Sequence, residues 1–175
     1  MSCVWRRYCA LYSMNIPVGA DCERPPIVIT IEDPDQPDVY ALLTASDAYM
    51  AGLYPTESNH MVDVHELSRP DVTFIVARSG ASVLGCGAIV EGPDSSAEIK
   101  RMFVVPAARG LKIGRRLLQQ LETVAIAKGV QSLRLETGIK QPEALALYRS
   151  AGFVEIGPFG IYQPDPLSVF MQKEI

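Results

Sequence analysis

EIKRMFVVPAARGLKIGRRLL, residues 98–118, joins two patterns that cannot share one element. Ile99 and Met102 to Val105 are apolar and rich in β-branched side chains, as a strand is. From Ile113 the apolar residues recur at helical spacing instead. Ile113, Leu117, Leu118, Leu121, Val124 and Ala125 form one stripe, with Arg115, Arg116, Gln119 and Glu122 opposite. The switch predicts a strand over 97–106 and a helix closed by Gly129, with the loop Arg109-Gly110-Leu111-Lys112 between them. Glu98, Lys100 and Arg101 interrupt the apolar strand, and local rule-breaking inside an element is where function is worth seeking.

Working outward, IVITIED (27–33) reads as a strand and residues 34–55 as a helix, with Val39, Leu42, Leu43, Ala48 and Met50 near helical spacing. Residues 57–70 read as a second, shorter helix closed by Pro70. VTFIVARSG (72–80) and ASVLGCGAIVEG (81–92) read as two strands turning at the Ser-Gly pair, and GPDSS (92–96) as a turn. Beyond Gly129 come a strand over 131–138, a helix over 142–153 and a last strand over 168–175. The order β-α-α-β-β-β-α-β-α-β implies one α/β (α+β) domain over 27–175, a mixed sheet with helices packed on it. Residues 1–26 hold no apolar run long enough for a signal-peptide core. They read as a disordered extension, or as the product of start-site choice, since Met14 could also initiate.

A chain of 175 residues, 48% hydrophobic and 21% charged, is long enough to bury a core. A net charge of −4 argues against a bulk role on duplex nucleic acid or an anionic membrane, and no stretch approaches a membrane span. Cys3, Cys9, Cys22 and Cys86 form no CxxC pair and lie far from His60 and His65 in sequence, so neither a zinc site nor a disulfide framework is expected. Reduced thiols and a cytoplasmic location follow. The basic residues are uneven, however: Lys100, Arg101, Arg109, Lys112, Arg115 and Arg116 all fall between 100 and 116. The start of the helix exposes unpartnered N–H groups with the positive end of its dipole, which suits a phosphate. A basic helix start that is merely solvated is the competing reading. The GK[ST] ending of a P-loop and the GxGxxG spacing of a dinucleotide fold are both absent.

Taken together, EIKRMFVVPAARGLKIGRRLL, LRLETG (133–138) and QPEALALYRSAGF (141–153) resemble the GNAT superfamily of acetyl-CoA-dependent N-acetyltransferases. The R-x-x-G/x-x-G/A loop and the A-x-x-L-Y-x-x-x-G-F helix carry the likeness, and ESNH, GCGA, EIKRM, LETG and DPLSVFM suggest its small bacterial-type members. The resemblance implies a sheet of six to seven strands whose fourth and fifth strands splay into a cofactor cleft. It implies that the backbone of Met102, Phe103 and Val104 pairs with the pantetheine arm of acetyl-CoA. A bulge there would aim an N–H at the thioester oxygen. The amides of Arg109, Gly110, Leu111, Lys112, Ile113 and Gly114, with Arg115, would hold the pyrophosphate. Lys112 departs from the pattern, since it stands at the first Gly of the family loop. Gln141 also departs, standing where many relatives have Asn.

The same resemblance makes Tyr148 the general acid for the leaving thiolate and Glu98 the base for the acceptor ammonium. From spacing alone Tyr148 reads equally as a packed aromatic. Glu98 reads also as a partner for Lys100 or Arg101, and Glu136 as a substitute base or an orienting group. Tyr54, Glu57 and His60 would border the acceptor, with Ser58 and Asn59 beside them, and Tyr162, Asp165 and Ser168 would close the far side. His60 reads as a proton shuttle or as a cap, and Cys86 as a core residue. The expected activity is direct transfer of acetyl to a primary amine of a small molecule or peptide, without metal. A homodimer is in keeping with the superfamily. A non-catalytic acyl-CoA-binding regulatory domain and a peptide-lysine acetyltransferase are the alternatives.

Overall fold

The computed structural model describes residues 25–55 and 62–175, so the extension expected over 1–26 lies outside the described residues as far as residue 24. Among the described residues, seven strands form one sheet: β1 (Ile27–Ile31), β2 (Val72–Ser79), β3 (Ser82–Glu91), β4 (Ser96–Val104), β5 (Ser132–Gly138), β6 (Val154–Ile156) and β7 (Ser168–Glu174). Their order is β1-β2-β3-β4-β5-β7-β6. Only the β4–β5 pair is parallel, which makes the sheet mixed as expected. The helices are α1 (Pro37–Ala51), α2 (Val64–Leu67), α3 (Ile113–Ala127) and α4 (Pro142–Ser150). Among the described residues no helix is long and apolar enough to cross a membrane.

Three expectations are corrected. The helix predicted over 57–70 is, in its described part, the single turn α2, opened by a capping box between Asp63 and Glu66. Strand β6 was not predicted: it is a three-residue edge strand with Val154 63% exposed, too short to carry a periodic signal. On α1, Ala48 is exposed and Ser46 takes the place expected for it on the buried stripe of Val39, Leu42 and Leu43.

Helix α3 forms the predicted stripe. Ile113, Leu117, Leu118, Leu121 and Ala125 are buried, and the helix packs across β2, β3 and β4. It closes in a Schellman motif, with Gly129 at φ +77°, Gly129 N–H donating to Ile126 O and Val130 N–H to Ala125 O. The β3–β4 connection holds a tight turn closed by Ser96 N–H to Pro93 O, whose two central residues, Asp94 and Ser95, are both left-handed, as a type I′ turn requires.

The feature that shapes the site lies in β4. Cys86 pairs with Phe103 and Ala88 with Lys100, so Arg101 and Met102 together oppose the single residue Gly87. This is a β-bulge, with Arg101 at φ +56°. The GCGA run allows it. A Cβ on Gly85 would lie 2.6 Å from Phe103 O, and one on Gly87 would lie 2.8 Å from Met102 Sδ. Cys86, between them, is fully buried, and its thiol reaches Arg101 O at 3.2 Å. Burial pushes that thiol up to about 12, in keeping with a core residue and not a nucleophile.

Gly85→Ala is predicted to lower stability in urea denaturation by about 2 kcal/mol, because the clash is with backbone and cannot relax. The control is Gly157→Ala, where a Cβ meets nothing within 4 Å; it should change stability by less than about 0.5 kcal/mol.

Candidate active site

Strands β4 and β5 pair from Ser96↔Ser132 to Ile99↔Leu135, and among the described residues their pairing ends there. β5 continues alongside β7 to Gly138↔Ser168, whereas β4 passes through its bulge. The two strands thus part, and α4 lies beyond the gap. Two spaces open there. One, of ≈ 410 Å³, runs from Met102, Phe103 and Val104 to the start of α3. The other, of ≈ 110 Å³, lies between the charged part of β4, the end of β5 and α1. They meet at Met102, Gln141, Ala144 and Tyr148, which line both.

The first space ends in the predicted anion cradle. Helix α3 begins at Ile113, and its N-cap, Lys112, caps nothing with its side chain. The first helical bond is Arg116 N–H to Lys112 O. The N–H groups of Gly110, Lys112, Ile113, Gly114 and Arg115 consequently have no acceptor among the described residues. No acidic residue stands in the first turn, so the positive end of the helix dipole is unopposed. Gly110 at φ +83° meets nothing within 4 Å at the place of a Cβ, which leaves room for a phosphate against the loop. These donors fit the diphosphate of coenzyme A. Two of the predicted donors are corrected: Leu111 N–H already bonds Ala108 O, Arg109 N–H bonds Pro106 O, and Leu111 does not line the space. The Arg109 side chain does line it, with its guanidinium 4.8 Å over the Tyr49 ring; Arg115 bonds Ser150 Oγ.

Tyr148 is set by the end of its own helix. α4 starts with Pro142 and closes in a second Schellman motif, with Gly152 at φ +94° and Phe153 N–H donating to Tyr148 O. The Phe153 ring then packs edge-on against Tyr148 at 5.7 Å. The A-x-x-L-Y-x-x-x-G-F pattern is therefore a device for fixing this phenol. The residue is 6% exposed, and burial, with Glu136 second, pushes its hydroxyl well above the usual tyrosine range. No described residue bonds the hydroxyl. Ser132 Oγ is the sole enclosed, unpartnered side-chain N or O atom among the described residues, and Tyr148 lines both spaces.

In the smaller space, Glu98, Lys100 and Tyr162 form a closed triangle. Tyr162 O–H donates to Glu98 Oε1 at 2.6 Å, Lys100 Nζ donates to the Tyr162 oxygen at 2.6 Å, and Lys100 Nζ lies 2.9 Å from Glu98 Oε1. Glu98 thus has the Lys100 partner that its spacing allowed, and it also lines the cavity. Burial first, then the bond to Glu98, raises the Tyr162 hydroxyl. Glu136 accepts from Ser168 Oγ at 2.6 Å and lines the same cavity, as Ser168 does. Asp165 instead holds its own loop, accepting from Leu167 N–H, and is not in the lining.

Two expected side chains are in place but already engaged. The buried Tyr54 hydroxyl accepts from Lys140 N–H at 2.8 Å, and a Cβ on Gly138 would fall 2.1 Å from it, so the glycine of LETG makes room for this tyrosine. Gln141 Oε1 accepts from Gly138 N–H, and Gln141 Nε2 reaches Met50 Sδ, which staples the β5–α4 loop at the junction of the two spaces. Glu57 and His60, with Ser58 and Asn59, lie outside the described residues. Sequence reasoning missed Lys100 as a member of the site, although its interruption of β4 was the available signal. It also missed Tyr49, which lies on a different helix from the loop it braces and gives no local sign.

Lys112, where the family loop has Gly, takes φ +59° and ψ 19°. A side chain there costs about 1–2 kcal/mol. Lys112→Gly should therefore raise the stability of the ligand-free protein by about 0.5–1 kcal/mol, after the added freedom of the unfolded chain is subtracted. Denaturant melts would read this, and a loss of stability would show that the residue is not strained.

Residues 38–153 match the profile of the acetyltransferase (GNAT) family. An "IAA acetyltransferase" of Azospirillum brasilense is 49% identical over 152 residues, covering 86% of this chain and 99% of that protein. A proposed acyl-CoA N-acyltransferase of Klebsiella pneumoniae superposes with a TM-score of 0.72 at 37% identity, over 85% of this chain and 97% of that one. The PaiA N-acetyltransferase of Thermoplasma acidophilum, solved with coenzyme A, shares the fold at a TM-score of 0.67 and 19% identity, over 86% and 99% of the two chains.

Proposed function

Because the chain belongs to the acetyltransferase (GNAT) family, its chemistry is acetyl-CoA-dependent acyl transfer, and we propose that the acceptor is a primary amine of a small molecule or peptide, acetylated by direct attack in a ternary complex. The observation that carries this reading is the junction at Tyr148, where a long cleft ending in free amides meets a small cavity holding two carboxylates. Acetyl-CoA supplies an acetyl group already activated as a thioester. The chain's own residues do the rest. The amides at the start of α3 bind the diphosphate, and Met102 to Val104 offer a strand edge to the pantetheine arm. An N–H at the bulge faces the carbonyl oxygen as it gains charge. Tyr148, kept protonated by burial, gives its proton to the departing thiolate. Glu98 takes the ammonium proton, directly or through water, with Glu136 as its substitute.

The acceptor side is narrow, ≈ 110 Å³, which suits the amine end of an acceptor and not a bulky group beside the nitrogen. The name of the Azospirillum relative makes IAA the first compound to include in an acceptor panel. We place the reaction in the cytoplasm, in line with the free thiol of Cys86.

Two measurements test this. Acetyl-CoA at a hundred times its Kd should add about 2.7 kcal/mol of stability, a Tm rise of about 5–10 °C; no shift at millimolar ligand would contradict the reading. In an amine panel followed by release of CoA thiol, Tyr148→Phe should lower kcat about a hundredfold or more while the Kd for CoA stays within about twofold. An unchanged kcat would remove Tyr148 from the acid role. Cofactor binding without turnover of any amine would favour the regulatory alternative.

A further inference from the structure

Arg101 is in an unusual position for a charged residue. Its side chain is 7% exposed, its backbone is left-handed at φ +56°, and it stands in the bulge just after β4 leaves β5. Left-handed arginine is uncommon, and such strain persists only where the surroundings over-determine it. Here they do. Nε donates to Val62 O at 2.7 Å, Nη1 bonds the Asp47 carboxylate on α1, and the Arg101 carbonyl accepts from the Cys86 thiol at 3.2 Å. Arg101, Met102 and Val62 all line the acceptor cavity. The guanidinium therefore ties the bulge at once to α1 and to the wall where the acceptor enters.

Resting on the acyl-transfer reading above, we infer that Arg101 is a positioning residue: its clamp on Asp47 and Val62 fixes the bulge so that a backbone N–H polarises the thioester carbonyl. The planar guanidinium presents Nε to Val62 O and Nη1 to Asp47 as one rigid fork, a geometry that the point charge of an ammonium does not reproduce. Asp47, whose side chain is 40% exposed, can be altered without burying an unpaired charge on its own side.

The test needs no acceptor. Acetyl-CoA labelled with ¹³C at the carbonyl is bound to wild type, Arg101→Lys and Asp47→Asn. Affinity is measured by calorimetry and the carbonyl stretch by difference infrared spectroscopy. Wild type should shift the stretch to lower frequency than free acetyl-CoA. Both variants should return it most of the way to the free value while Kd changes less than about threefold, because the diphosphate amides on α3 are untouched. A merely structural role would instead lower Tm and weaken binding, with the stretch of the bound fraction unchanged. If Arg101→Lys fails to fold, Asp47→Asn carries the test alone. An unshifted stretch in wild type, or variants that keep the wild-type frequency, would overturn the inference. No binding of acetyl-CoA to wild type would instead defeat the acyl-transfer reading itself.

Discussion

Everything distinctive about this molecule follows from two strands that pair for four residues and then part. β4 and β5 leave one another after Ile99 and Leu135 because β4 carries an extra residue opposite Gly87. A sheet that stayed zipped would satisfy its own backbone groups and offer nothing to a ligand. The bulge prevents this. It leaves a stretch of β4 unpaired on its β5 side inside the protein, where the space at the start of α3 meets the smaller one beside β5. Gly85 and Gly87 permit the close approach, and the buried Leu117 and Leu121 hold α3 against it.

Strain is placed accordingly. Among the described residues, four that are not glycine have positive φ: Asp94, Ser95, Arg101 and Lys112. The first two serve a hairpin, where short polar side chains tolerate the conformation. The other two carry long cationic side chains and both border the cleft, one at the bulge and one at the helix start. Strain of this kind persists only where the surrounding structure over-determines the backbone. The cradle and the bulge are thus the two places where the chain gives up local comfort, and the phenol of Tyr148 stands between them.

Much of this was legible in the sequence because periodicity changes abruptly there. The switch from strand to helix across 98–118 located the loop, the stripe from Ile113 to Ala125 located the core face of α3, and Gly129 and Gly152 marked helix ends that close as Schellman motifs. The interruptions of β4 by Glu98, Lys100 and Arg101 mark the stretch of that strand that lines the smaller space. What escaped was of two kinds. Short elements such as β6 and α2 carry too few residues for any period to register. Long-range pairings leave no local trace: nothing near Tyr162 announces Lys100, nothing near Arg109 announces Tyr49, and nothing near Arg101 announces Asp47. The departure at Lys112 was visible as a residue type, but its left-handed backbone is a property of the folded loop.

The central claim is that the β5-facing edge of β4 beyond Ile99 and the free N–H groups at the start of α3 receive one extended ligand. Amide hydrogen exchange, read residue by residue with and without coenzyme A, tests it most directly. Protection should rise at Ile113, Gly114 and Arg115 and along Met102 to Val104 together, with the sheet between β1 and β2 unchanged. Protection that rises uniformly across the protein, or that leaves both of those segments as they were, would contradict the account.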